Sequence, residues 1–453
     1  MGKFRIIPSI YLYNGNVVDK ETKEIVGDGD AVELATFYNN RGADELLVFD
    51  LSSSDSEHDA NIGTMIKIQD AVDIQMIVGG NVKRLEDVKK YIYTGAKKAI
   101  LDMSKDTNVE IVKEASERFG SDKIAVMLNK DYDFSKIKQL KYDGVSLIIA
   151  DSCANECIGL GIKILAFNCN FTFNDMVEFG KQDKVYGISD NSFAGDFDFL
   201  NFKAQLKEEG VNTIVFESAM SFDQFKKNSD GMIPVVVQDY KTDKVLMVAY
   251  MNEEAFNLTI KTGKMTYFSR SRNEIWVKGV TSGHFQYVKE LSMDCDLDTM
   301  LAKVYQVGVP CHTGADTCFF NTLVKKEYDE SNPMRVFEDV YNVILDRKKN
   351  PKEGSYTNYL FDKGIDKILK KVGEEATEIV IAAKNPDPQE VKYEISDFLY
   401  HVMVLMAERN NKRTFKKIGI WVLKHQYINY KNFILNRVTT GCPISFVEKK
   451  IFV

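Results

Sequence analysis

The seven cysteines of this 453-residue chain contain no CxxC pair, which argues against a closed zinc finger. Their odd number, with no disulfide framework, points to reduced thiols and a cytoplasmic location. No apolar run is long enough to cross a bilayer, and Met1-Gly2-Lys3-Phe4-Arg5 leads straight into a short apolar strand. Neither a membrane span nor a signal peptide is expected. A basic surplus is missing too: the net charge of -7 argues against general nucleic-acid binding. Low-complexity sequence and residue-level repeats are absent. What remains, 44% hydrophobic and 28% charged residues, describes a soluble globular chain. Its length suits about three domains.

The densest chemistry lies in Asp294-Cys295-Asp296-Leu297-Asp298, followed by Cys311-His312 and Cys318. Thiolates select soft ions such as zinc and aspartates suit magnesium, so the mixture implies two metals. On an extended segment Asp294, Asp296 and Asp298 would share one side and Cys295 take the other. Three cysteines leave zinc one ligand short, the arrangement expected where the ion activates water. Buried free cysteines beside a solvated acidic turn are the plain alternative.

A second set of acids stands in Gly373-Glu374-Glu375-Ala376-Thr377-Glu378 and Glu394-Ile395-Ser396-Asp397. Glu374 and Glu378 are four apart, and Glu394 and Asp397 three apart, so each pair shares a helix face. Both pairs adjoin apolar stripes (Ile379, Val380, Ile381; Phe398, Leu399, Val402), and two packed helices would bring the acids together. Converging like charges need cations between them, and magnesium is the expected occupant. Solvated glutamates on a helix surface are the ordinary alternative.

The first half alternates strand-like and amphipathic segments. Ile6 to Ile10, Leu46 to Phe49, Gln75 to Val78, Ala99 to Leu101, Ile124 to Leu128, Val145 to Ile149, Lys163 to Ala166 and Val185 to Ile188 read as strands. Eight such units predict an N-terminal (β/α)8 barrel, followed by a central strand-rich α+β metal domain and a C-terminal all-α domain.

Three resemblances sharpen this reading. Tyr267-Phe268-Ser269-Arg270-Ser271-Arg272, Trp276-Val277-Lys278-Gly279, Thr281-Ser282-Gly283-His284 and Cys311-His312-Thr313-Gly314 resemble the phosphoribosyl-AMP cyclohydrolases of histidine biosynthesis. That resemblance implies zinc on Cys295, Cys311 and Cys318, magnesium on Asp294, Asp296 and Asp298, and zinc ligands shared across a homodimer. Ring opening of an N1-substituted adenine calls for hydroxide attack at C6, which zinc serves by lowering the pKa of water to about 7. His312 and His284 are the candidate proton carriers, and Arg270, Arg272 and Lys278 candidate substrate contacts. The family commonly has histidine where Val277 stands, so a proton shuttle there is missing or supplied elsewhere.

Ser355-Tyr356-Thr357, Lys370-Lys371-Val372-Gly373 and the acids after them resemble the phosphoribosyl-ATP pyrophosphohydrolases, within the all-α nucleoside triphosphate pyrophosphatases. The implied magnesium ligands are Glu374, Glu375, Glu378, Glu394 and Asp397, with Glu374 and Glu375 the catalytic candidates. Arg347, Lys370, Lys371 and Lys384 are candidate phosphate clamps. The product of this step, phosphoribosyl-AMP, is the substrate of the cyclohydrolase, so the fusion makes chemical sense.

Ile6-Ile7-Pro8-Ser9, Gly42-Ala43-Asp44-Glu45-Leu46 and Val78-Gly79-Gly80-Asn81-Val82 resemble the cyclase subunit of imidazole glycerol phosphate synthase and its isomerase relative. Where the family places acids at the ends of strands one and five, this chain has Tyr11 and Asn129. An inactive barrel is expected, although Asp50 and the glycine pair survive. The implied layout is a barrel at 1–217, a cyclohydrolase at 218–330 and a pyrophosphohydrolase at 331–453. From Arg409 on, ten Lys and Arg face one acid, Glu448. That composition fits a substrate-attracting surface, a dimer contact, an anionic-membrane contact or a shifted reading frame. The main expectation is a bifunctional hydrolase using zinc and magnesium; the alternative is a non-catalytic pathway scaffold.

Overall fold

The computed structural model describes residues 2–327, 336–385 and 388–409. The chain divides into two compact units, Met1–Leu323 and Val324–Val453. The expected boundary between 330 and 331 and the basic tail from 410 onward lie outside the described residues.

In the first unit, strands Glu45–Asp50, Gln75–Gly79, Lys98–Asp102, Ile124–Leu128, Leu147–Asp151, Lys163–Phe167 and Val185–Ser189 pair in parallel, each with the next. The first strand is split. Arg5–Ile6 pairs with Val185–Ser189 and Ser9–Tyr13 with Glu45–Asp50, so the ladder returns to its beginning. Pro8, which has no N–H to give, sits at the break. This closed order of mostly parallel strands is consistent with a (β/α)8 barrel. Helices follow most strands, but after Leu147–Asp151 only the short 3-10 turn Asn155–Cys157 is formed. The sixth strand starts two residues later than the apolar run suggests, because Val145 still donates its N–H to Leu140 and closes the preceding helix turn.

Period-two alternation sorts the strand residues into two cores. Leu47, Phe49, Ile77, Ile100, Leu147, Ile149 and Leu165 belong to one cluster, whereas Leu46, Val48, Met76, Val78, Ile148 and Ile164 pack in another with the helices. Each strand is therefore buried on both faces, which explains its nearly continuous apolar sequence.

The same unit continues into a four-stranded sheet of Val245–Met251, Ile233–Asp239, Met300–Gln306 and Gln286–Met293. A helix, Glu253–Thr262, and a hairpin, Thr266–Ser269 with Glu274–Val277, accompany it. Ile233, Val235 and Val237 alternate into its own core with Met300, Ala302 and Val304. Asp73 of the barrel ties the two parts, accepting from the Tyr240 hydroxyl and pairing with Lys289, both at 2.8 Å.

The described part of the second unit is helical: Val336–Lys349, Tyr356–Lys363, Ile365–Ala382 and Pro388–Glu408. Tyr341, Ile344, Leu360, Ile368, Met403 and Val404 form its core. The Ser355 hydroxyl accepts the Asn358 N–H and caps the second of these helices.

Candidate metal and hydrolytic sites

Asp294, Asp296 and Asp298 lie in the turn between strands Gln286–Met293 and Met300–Gln306, not on an extended segment. Asp294 Oδ1 accepts the N–H groups of Asp298 and Thr299 at 3.0 and 3.2 Å, and this curls the chain. A carboxylate oxygen of each aspartate then comes within 4.8 Å of the others, all three side chains being exposed. Burial raises the Asp294 pKa, but the backbone donors outweigh it and leave the group more acidic than usual.

Cys311 and Cys318 are neighbours. Hydrogen bonding by Thr313, whose hydroxyl lies 3.1 Å from Cys311 Sγ, holds that thiol below its usual pKa. Burial, and then Cys311 itself, raise the pKa of Cys318. The Cys318 N–H donates to Leu246 at 2.8 Å and pins this segment along the Val245–Met251 strand. Lys278 is buried near both sulfurs; burial lowers its pKa and the thiols oppose that shift. Cys295 stays exposed on the aspartate turn. Among the described residues, no three cysteine sulfurs converge within 4.8 Å.

The His284 ring packs against Gly308, where a Cβ would come within 2.6 Å of Cδ2, so only glycine fits there. His312 is exposed. The Arg270 guanidinium lies over the Tyr250 ring, 3.8 Å from its centroid, while Arg272 pairs with Glu274 at 3.1 Å. Val277 faces Thr266 across the hairpin.

In the helical unit, oxygens of Glu375, Glu394 and Asp397 lie within 4.8 Å of one another. The pairing differs from the expected Glu374–Glu378 face. Ile368, Glu375 and Ala382, seven apart, are the buried positions of helix Ile365–Ala382. At about 100° per residue, Glu374 is about 100° and Glu378 about 60° from that stripe. Glu374 instead pairs with Lys370 at 3.4 Å and Lys371 at 3.1 Å, and Glu378 is exposed. Lys371 also reaches Glu375 at 3.3 Å, and hydrogen bonding to Glu374 raises its pKa despite some burial. Arg347 pairs with Asp346 at 2.7 Å on the first helix of the unit. Lys384 follows helix Ile365–Ala382 and is exposed.

Sequence reasoning passed over His401. It is 5% exposed, with Nδ1 at 2.8 Å from the Asp397 carbonyl and 3.6 Å from Glu375 Oε1, and Nε2 at 3.1 Å from the Tyr356 hydroxyl. The signal was available: His401 stands four residues after Asp397, on the same helix face.

The barrel mouth encloses a cavity of about 390 Å³ lined by Tyr11, Asp50, Gly80, Lys105 and Asp151 among others. Asp50 is saturated. It accepts from His58 Nδ1 at 2.5 Å, Asn61 Nδ2 at 2.6 Å, the Tyr91 hydroxyl at 2.9 Å and the Ser52 N–H at 2.9 Å. Burial raises its pKa, but these bonds, led by His58, outweigh it and leave the pKa lowered. Gly80 has φ +120°, and a Cβ there would meet the Asp50 carbonyl oxygen at 2.1 Å, so the glycine pair serves a close backbone approach. Tyr11 stacks on Phe49, with its hydroxyl buried beside Asn168 and no well-formed hydrogen bond. The side chain of Asn129 accepts the Asp131 N–H and shapes a turn.

Three protein families match successive parts of the chain: Histidine biosynthesis protein at residues 5–163, Phosphoribosyl-AMP cyclohydrolase at 247–320 and Phosphoribosyl-ATP pyrophosphohydrolase at 337–412. The "Histidine biosynthesis bifunctional protein HisIE" of Thermoanaerobacter pseudethanolicus is 51% identical over 202 residues, 42% of this chain and 94% of the relative. The chain belongs to the HisIE family. The HisIE of Caldanaerobacter subterraneus subsp. tengcongensis is 52% identical over 187 residues (41% of this chain, 90% of the relative). That of Halalkalibacterium halodurans is 48% identical over 191 (42% and 90%). This HisIE-family chain is a hydrolase, with cyclohydrolase and pyrophosphohydrolase regions in that order. Among the described residues, no helix is long and apolar enough to cross a membrane.

Proposed function

We propose that this chain releases pyrophosphate from phosphoribosyl-ATP in its helical unit and then opens the adenine ring of phosphoribosyl-AMP in its strand-rich region. One observation carries the reading: two separate carboxylate triples, Asp294 with Asp296 and Asp298, and Glu375 with Glu394 and Asp397, each gathered within 4.8 Å. Such gathering is costly unless a cation sits between the charges, and all-oxygen donors suit magnesium. Glu374 and Glu378 flank the second triple and complete the ligand set. The soft site is formed by Cys311 and Cys318, with Cys295 supplied by a second copy of the chain, which makes the working unit a homodimer.

When bound, magnesium neutralises triphosphate charge and zinc supplies a water acidified to about pKa 7. The protein does the rest. Lys371, Lys370, Arg347 and Lys384 clamp phosphates, and Glu374 and Glu375 orient the attacking water. Lys278, Arg270 and Arg272 hold the anionic end of phosphoribosyl-AMP beside the thiols. His312 and His284 carry protons to and from the opening ring.

The layout is barrel 1–217, cyclohydrolase 218–330 and pyrophosphohydrolase 331–453. The barrel is inert as a cyclase, since Tyr11 and Asn129 offer no carboxylate and Asp50 has no spare lone pair to work with. A pathway scaffold with silent sites is the competing reading, and it would need neither acid triple. Two variants separate them. Cys311→Ala should abolish ring opening while pyrophosphate release persists, and Glu375→Gln should do the reverse. Unchanged rates in both variants would refute these assignments.

A further inference from the structure

The helical unit leaves large aromatic surface in water beside its acid cluster. Tyr356 is 46% and Tyr359 43% exposed, although both rings are ordered by neighbours. Tyr356 lies nearly parallel to Tyr359 (centroids 6.1 Å apart, 23°) and to Tyr400 (6.4 Å, 24°). The hydroxyls of Tyr400 and Thr357 bond at 2.7 Å and fix the third ring. Tyr356 and Tyr359 stand outside the core of the unit, while Tyr400 is half-buried and packs against it. Cations border the ledge: Lys363 lies 5.9 Å from the Tyr359 ring centroid, and the charges of Lys371 and Glu375 are both felt at the Tyr356 hydroxyl. Aromatic faces edged by cations beside carboxylates suit a flat base joined to a polyphosphate.

The ledge is wired to the acids through one side chain. His401 Nδ1 faces the Asp397 carbonyl, an acceptor only, so Nδ1 carries the proton and Nε2 accepts from the Tyr356 hydroxyl. The same Nδ1 lies 3.6 Å from Glu375 Oε1. Moving Tyr356 therefore moves the group that steadies Glu375.

We propose that Tyr356, Tyr359 and Tyr400 form the stacking surface for the adenine of phosphoribosyl-ATP, with His401 as a positioning residue that links base docking to Glu375. The inference rests on the pyrophosphohydrolase reading of this unit. Stacking on a single aromatic ring contributes about tenfold in binding. The full chain with Tyr359→Ala should show a KM for phosphoribosyl-ATP raised about tenfold and a kcat within about twofold of the wild type. Tyr356→Phe keeps the ring and deletes the hydroxyl, so its KM should hold while kcat falls about tenfold. Ring opening of supplied phosphoribosyl-AMP by both variants should be unchanged, which controls for folding. Equilibrium binding of phosphoribosyl-ATP without metal separates the ledge from hydrolysis: about tenfold weaker binding is expected for Tyr359→Ala. Equal binding overturns the ledge, including the case where a second copy of the chain covers these tyrosines and the variant changes only oligomeric state. An unchanged kcat in Tyr356→Phe overturns the His401 link. A wild-type chain that binds but releases no pyrophosphate overturns the reading beneath and leaves the binding comparison to judge the ledge.

Discussion

Asp50 in the barrel and Glu375 in the helical unit are both buried carboxylates, 2% and 4% exposed, and their surroundings differ in kind. Four donors converge on Asp50, so its charge is fully answered by the protein. Glu375 meets Lys371 and His401 on one side and two more acids on the other. A buried acid with a complete donor shell is a structural part, and replacing it costs stability. An acid held against other acids carries charge that a further cation must balance, and replacing it costs function.

The sharpest way to break this contrast is Glu375→Gln, for which pyrophosphate release should fall at least about 100-fold with little loss of stability. A large drop in melting temperature instead would put Glu375 in the same class as Asp50. Next in size is Asp50→Asn, expected to cost about 2 kcal/mol through the His58 and Tyr91 bonds it weakens. Amide exchange along strand Glu45–Asp50 should report that loss while both hydrolytic rates stay level. Glu378→Gln, on the rim of the triple, should slow pyrophosphate release by less than about tenfold; an effect as large as that of Glu375→Gln would place it among the central ligands.

The smallest effect is in pH. The folded pKa of Asp50 is lowered from 3.8, so the folded state binds fewer protons than the unfolded state between the two values. Its stabilising contribution is fully present above the unfolded pKa and is lost as pH falls through the folded one. The stability difference between wild type and Asp50→Asn should therefore begin to narrow as pH falls through about 3.8 and close below the folded pKa, and a constant difference down to pH 2 would contradict the assignment.

Much of this contrast was legible in the residues. All eight barrel strands show as apolar runs because each is buried on both faces, and the Tyr11 and Asn129 substitutions are visible by inspection. Three features were not. The break at Pro8 depends on which neighbour each half of the strand pairs with. Glu375 replaced the Glu374–Glu378 pair as the inward acid because the apolar stripe of its helix, marked by Ile368 and Ala382, has a seven-residue repeat that a four-residue spacing argument overlooks. That the three sulfurs do not meet within one copy of the chain was expected only from the resemblance, since spacing alone carries no trace of it. His401 went unread because a single histidine in an apolar helix looks like packing until its partners are known.

The most direct test of the central claim is one time course. Purified chain would be incubated with phosphoribosyl-ATP, magnesium and zinc, with pyrophosphate and ring-opened product followed in the same sample. Pyrophosphate should appear first and the ring-opened product after it, both from this chain alone. Neither product appearing, from a folded and metal-loaded chain, would contradict the account and favour a scaffold.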